Sequence, residues 1–189
     1  MTTAVGVMGS AGYAPGERDK AALAEKAAAL ANAIAESKLA LLTGATTGIV
    51  YLDGKTVHDA GALHVGISPA VNQQEHVEKY NLPIDACDLI VYTGFGLKGR
   101  NVVLVRSCEI VLFIAGAMGS LNEFTIAHDE GKVIGCLTGT GGVADEADYL
   151  LQKFSKATGA RVFQNNDPVK LINACLQVLP DRRLLRQTE

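Results

Sequence analysis

No run of apolar residues in this 189-residue chain approaches the roughly 18 needed to cross a bilayer. The opening "MTTAVGVMGS" has no cationic stretch followed by an apolar one of signal length. The chain therefore reads as soluble and cytoplasmic, with no membrane partner. Clustered positive charge is missing too: the net charge is −3, and only the ending "DRRLLRQTE" gathers basic residues. Without a basic face, no contact with DNA or RNA is expected. The four cysteines, Cys87, Cys108, Cys136 and Cys175, share no close spacing and sit in or beside apolar segments. That pattern argues for buried thiols over disulfides or a zinc cage. His58, His64, His76 and His128 lack ligand-type spacing, so no protein metal site is expected. The loop "GSAG" at Gly9–Gly12 neither fits the dinucleotide fingerprint nor carries the lysine of a P-loop.

What the chain does have is a repeated rhythm. Short apolar runs recur and most end in glycine: "AVGVMGSAG", "LALLTGATTG", "ALHVGISP", "LIVYTGFGLKG", "IVLFIAGAMG" and "VIGCLTGTGG". Continuous apolar runs, not alternating ones, are the mark of parallel strands buried on both faces. Between them lie helical segments. From Arg18 to Glu36, Leu23, Ala27, Leu30 and Ile34 fall on one stripe. A second helix is expected over about Val143–Ala157, and a last one after Asp167 as N-cap with Pro168 at its first position. "NVVLVRS", Asn101–Ser107, has the β-branched composition of a strand. It is nonetheless assigned to a helix, because the parallel strands Leu89–Thr93 and Ile110–Ile114 need a crossover of about a dozen residues. The expected fold is a single α/β domain over 1–180 with a polar tail at 181–189. Its core is a doubly wound, mostly parallel Rossmann-like sheet of about seven strands with helices on both faces. The segment Pro69–Asp88 is long for a connection and reads as a lid or a subunit contact.

In such a sheet the strand-end loops gather along the carboxyl edge, where ligands bind at the switch in strand order. The loops at Gly9, Gly44, Gly94 and Gly116 are therefore expected to line one cleft. Ser10, Thr46, Thr47, Gly96, Met118, Gly119 and Ser120 are the accompanying candidates for contact with a phosphate. "VLFIAGAMGSLNEF" poses a sharper question. Ser120 and Glu123 have the spacing of a helix capping box, and the same glutamate could instead face a ligand hydroxyl. Arg100, a planar and permanently charged fork of donors, is the candidate cation for a phosphate or ribose oxygen.

These motifs together resemble the LOG-like (LONELY GUY) or SLOG superfamily of Rossmann-type proteins. That superfamily includes phosphoribohydrolases, proteins labelled as lysine decarboxylases, and molybdenum-cofactor carrier proteins. Its signature of Pro-Gly-Gly, one residue, Gly-Thr, two residues and Glu is matched by Ala115 through Glu123. Arg100 falls where the superfamily places an arginine at the start of the preceding helix, and "TGATTG" at Thr43–Gly48 matches an earlier glycine turn. The sequence departs from the phosphoribohydrolases at Ala115 and Ala117, which replace a proline and a glycine, and at "GLKGRN", which replaces a Met-His-Glu-Arg stretch. The resemblance implies binding of a nucleotide or pterin-type ligand, such as a nucleoside monophosphate or the molybdenum cofactor, with no required cofactor. The alternatives are hydrolysis of a nucleoside 5′-monophosphate by Arg100 and Glu123, or nucleotide sensing through a protein partner. It also implies a homodimer or homotetramer. Lysine decarboxylation is rejected, since no lysine is visibly poised for a pyridoxal Schiff base.

Overall fold

Residues 2–10, 20–154 and 156–179 are described by the computed structural model. The expected start of the first helix at Arg18 and the tail at 181–189 lie outside them. The six apolar runs become six of seven parallel strands, β1 (Ala4–Gly9), β2 (Ala40–Thr43), β3 (His64–Ser68), β4 (Leu89–Tyr92), β5 (Ile110–Ile114) and β6 (Val133–Leu137); the seventh, β7 (Arg161–Asn165), is not among those runs. They form one sheet in the order β4-β3-β2-β1-β5-β6-β7. Every ladder is parallel. The central strands β5 and β6 are buried at every residue, which accounts for their unbroken apolar sequence.

Six α-helices link the strands: α1 (Lys20–Glu36), α2 (Ile49–Asp59), α3 (Gly96–Arg106), α4 (Met118–Asp129), α5 (Gly142–Lys153) and α6 (Pro168–Gln177). One hydrophobic cluster joins α1, α2 and α6 to the sheet, and a second joins α3, α4 and α5 to its other face. The predicted stripe on α1 is buried as expected. "NVVLVRS" is helical, within α3, with Leu104 and Val105 fully buried. Its β-branched propensity gives way to topology, because β4 and β5 stand at well-separated positions and only a crossover can join them. Asp167 caps α6, accepting from the amides of Val169 and Lys170, with Pro168 at the first turn. The helix expected to reach Ala157 ends at Lys153, where Phe154 leaves helical geometry at φ −125°.

The long 69–88 segment contains one π-helical turn, Glu75–Lys79, and is fastened by two buried imidazoles. The Ser68 hydroxyl accepts from Ala70 N–H and donates to His76 Nδ1 at 2.8 Å, while His76 Nε2 donates to Pro83 O at 3.0 Å. At its far end His64 Nδ1 donates to Ala86 O, leaving Nε2 to accept from the Thr43 hydroxyl at 2.8 Å. Burial lowers the His64 pKa, consistent with a neutral ring in that network. Cys108, Cys136 and Cys175 are buried and Cys87 is half-buried; all four are free thiols, pushed up to about 12 by burial.

One core residue breaks the rule that buried charge is paired. Asp53 of α2 is fully buried, and neither carboxylate oxygen has a hydrogen-bond partner. Desolvation raises its pKa well above the usual aspartate value, so the native state holds it neutral. Such a group contributes its full stability below the unfolded pKa and loses it as pH rises toward the native value. Asp53→Asn should therefore match the wild type near pH 4 and melt higher at pH 7.5, by roughly 3 °C or more. A pH series of thermal melts checks this; parallel curves for the two proteins would contradict it.

Candidate functional site

Strand order reverses between β1 and β5, since β2, β3 and β4 follow on one side and β6 and β7 on the other. At the carboxyl ends of these two strands a cleft of about 280 Å³ opens. β1 and β5 are in register through Gly9 and Ile114, which sets the two loops at the same height.

The β5–α4 turn is built for close approach. Ala115 takes φ 52° and Gly116 φ 104°, so an alanine occupies a left-handed position that usually favours glycine. The turn is clamped by the next crossover: Ala115 N–H donates to Thr140 Oγ1 at 2.8 Å, and the amides of Val143 and Ala144 donate to the carbonyls of Gly116 and Ala115, each at 3.0 Å. Ala117 is extended at φ −114°, and its methyl group is tolerated there. Helix α4 then begins at Met118, two residues before Ser120, so Ser120 lies inside the helix. The capping box is therefore not formed. No side chain caps this end, and Ser120 Oγ donates instead to Gly9 O at 3.3 Å, tying α4 to the β1 loop. The amides of Met118, Gly119 and Ser120 precede the first helical bond, from Leu121 N–H to Ala117 O at 2.9 Å. With the helix dipole behind them, they present a positive end to the cleft.

The second wall is α3, which opens Gly-Leu-Lys-Gly-Arg with no acidic residue in its first turn. Two cations there oppose the helix dipole, an arrangement that fold stability does not favour. Arg100 is only 6% exposed, and its Nε is buried without a hydrogen-bond partner. None of the ion pairs among the described residues includes it. Its guanidinium lies over Gly44 of the β2–α2 loop, so closely that a side-chain methyl there would coincide with Nη1. Glu123 is 7% exposed, and burial pushes its carboxyl up to about 7 against the opposing pull of Arg100 and then Lys98. The Arg100 guanidinium is pulled down by the same desolvation and raised by Glu123. Asn101, buried beside them, bonds to Asn122 at 2.9 Å; with its amide turned over it donates to Glu123 Oε1 at 3.0 Å.

Of the residues singled out from sequence, Gly9, Ser10, Gly44, Thr46, Arg100, Gly119, Ser120 and Glu123 line this cleft. Gly116 is buried within the turn beneath it, Met118 stands 76% exposed at the start of α4, and Thr47 is exposed on the β2–α2 loop. Gly94 and Gly96 follow β4 at the sheet edge, with two strands between β4 and β1, and are absent from the lining. Lys98, Asn101, Leu97 and Val50 line the cleft without having been singled out. Lys98 carried the same signal as Arg100, a cation in a helix's first turn. Asn101 carried none.

The family model for the SLOG cluster4 family matches residues 2–172. The chain belongs to that family. An uncharacterised Archaeoglobus fulgidus protein is 29% identical over 143 residues, covering 76% of this chain and 78% of its own. Among solved structures, TM1055 superposes with a TM-score of 0.79 at 23% identity, over 93% of this chain and 99% of that one. A molybdenum cofactor binding protein from Rippkaea orientalis gives 0.73 at 24% identity, over 95% and 98%. These likenesses show a shared fold, and the resemblance to the SLOG superfamily read from Ala115–Glu123 holds.

In this SLOG chain Gly44 is outside the left-handed region, so its lack of a side chain serves Arg100 and not the backbone. Gly44→Ala should leave the fold intact, with a melting temperature within about 3 °C of the wild type, while displacing the guanidinium. Ligand affinity should fall about ten-fold or more, as expected for disturbing a hydrogen bond to a charged group. Titration of both proteins with the same nucleotide checks it; unchanged affinity would separate Arg100 from binding.

Proposed function

We propose that this protein binds a phosphate-bearing nucleotide or pterin-type ligand in the cleft between β1 and β5. The observation that carries the reading is Arg100, a buried cation whose Nε has no hydrogen-bond partner and which enters no ion pair among the described residues. An unpaired buried charge is costly, and an anion is the group that offsets it. A phosphate bound there would take donors from three directions: the Arg100 guanidinium, the uncapped α4 amides with the Ser120 hydroxyl, and the Lys98 amine on the cleft wall. Val7, Met8, Val50 and Leu97 supply apolar surface for the remainder of the ligand. The volume suits one small ligand.

These residues fit the phosphate end of a molybdenum-type pterin, carried as cargo. Among the described residues no group of three His, Cys, Asp or Glu is placed to hold a metal, so the pterin itself would keep it. The relative from Rippkaea orientalis, described as a molybdenum cofactor binding protein, supports this choice at the level of fold. A second reading rests on Glu123. A carboxyl held near 7 beside a buried arginine can exchange a proton at neutral pH, as cleavage of a nucleoside monophosphate at its N-glycosidic bond requires. In that reaction water would add to the ribose carbon while the departing base takes up a proton.

A thermal-shift panel tests both readings. Nucleoside 5′-monophosphates or molybdopterin-type ligands should stabilise the protein, whereas the corresponding nucleosides should not. Arg100→Met should abolish that shift and raise the melting temperature of the ligand-free protein, because it removes an unpaired buried charge. A lower melting temperature with the shift retained would assign Arg100 a purely structural role. Release of free base from a stabilising nucleotide selects the hydrolase; its absence leaves the binding protein.

A further inference from the structure

Glu123 and a bound phosphate would share one cleft and the same two cations. Arg100 and Lys98 of α3 both act on the Glu123 carboxyl, and both line the space a ligand would fill. A carboxylate and a phosphate dianion at such range repel each other across a poorly solvated gap. The environment of Glu123 offers a way out, because its neighbour accommodates the carboxyl with or without a proton. Asn101 is 3% exposed, and its amide touches Leu97 O and Glu123 Oε1 on one side and Asn122 on the other. Leu97 O and Glu123 Oε1 both accept, so the amide nitrogen of Asn101 is the atom that serves them, donating to each at 3.0 Å. Glu123 Oε1 can take that bond as part of a carboxylate or as the carbonyl oxygen of the neutral acid, which leaves Oε2 to carry the proton.

Among the described residues, no other charge in the surroundings contradicts this coupling. The Cys108 thiol before β5 senses Glu123 but is neutral, its pKa pushed up to about 12. The Cys136 thiol of β6 is likewise raised to about 12, and β1 has no ionisable side chain. On α5, Asp145 is exposed and engaged by the amides of Gly139 and Gly141, and Asp148 is held by Gln164.

Building on the anion-binding reading above, we propose that occupation of the cleft by a dianion is coupled to uptake of a proton by Glu123. The sign follows from linkage. A bound dianion favours the neutral carboxyl, so binding takes up protons wherever free Glu123 is ionised, and affinity falls as pH rises past the free value near 7. In the ligand-free protein the same residue, raised from its usual value, stabilises the fold fully below about 4.5 and loses that contribution as pH rises through about 7.

Sulfate is the suitable probe, since it is a dianion with no proton to gain near neutrality. Calorimetric titration at pH 7.5 in two buffers of different ionisation enthalpy should show uptake of about half a proton or more per sulfate bound. Affinity should be roughly ten-fold weaker at pH 8.5 than at pH 6.5. Glu123→Gln should still bind sulfate, without proton uptake and with a flat pH profile over that range. Equal heats in the two buffers, or a pH dependence that survives in Glu123→Gln, would overturn the coupling while leaving anion binding in place. No sulfate binding at any pH would overturn both.

Discussion

A guanidinium buried over a glycine, in no ion pair among the described residues, is the constraint around which this site is arranged. Arg100 can lie where it does because Gly44 has no side chain, and it arrives there because α3 is a helix whose first turn faces the cleft. Each condition costs something locally: two cations at the positive end of a helix, and a charge removed from water that Glu123 offsets only in part. Interactions unfavourable to the empty protein and favourable to an occupied one are what a preorganised binding site consists of.

The remainder of the site follows from sheet order. Because β1 and β5 are neighbours in space and distant in sequence, the order of strands reverses there and the cleft lies at their carboxyl ends. The helices that line it, α2, α3 and α4, begin without a side-chain cap, as α5 does, whereas α6 is capped by Asp167. The left-handed Ala115 is held by Thr140 and by two amides at the start of α5, so the turn's conformation is fixed from outside. Ala115 stands where the superfamily signature has proline, whose ring fixes φ near −65°, so the left-handed turn seen here is one that proline could not adopt, while the extended Ala117 tolerates its methyl group.

Carrying and cleaving a nucleotide require overlapping equipment. Both need the anion held, and both are served by a carboxyl whose proton is near balance at neutral pH. Glu123 owes that property to burial more than to any partner, with Arg100 and Lys98 opposing the shift without cancelling it. The presence of Arg100 and Glu123 alone therefore does not distinguish the two chemistries.

The sequence by itself determined the architecture. Apolar runs ending in glycine marked six of the strands, of which the edge strand β4 is half-exposed. The stripe Leu23, Ala27, Leu30 and Ile34 fixes one helix, and Asp167–Pro168 fixes the start of another. The spacing from Arg100 to Glu123 identified the family, and the parallel sheet made "NVVLVRS" a helix against its own propensity. Only the tertiary structure decided which loops meet. Gly94 looks like Gly9 and Gly44 in sequence, yet it ends an edge strand three places from the switch, because strand order is set by long-range pairing that local sequence does not encode. The start of α4 was equally invisible. Ser120 and Glu123 have capping-box spacing, but the Thr140 and α5 contacts set the turn two residues earlier and turned Ser120 toward Gly9. Asn101 reads as an ordinary helical asparagine until α3 and α4 pack together; contact between helices is what sets its amide against Glu123.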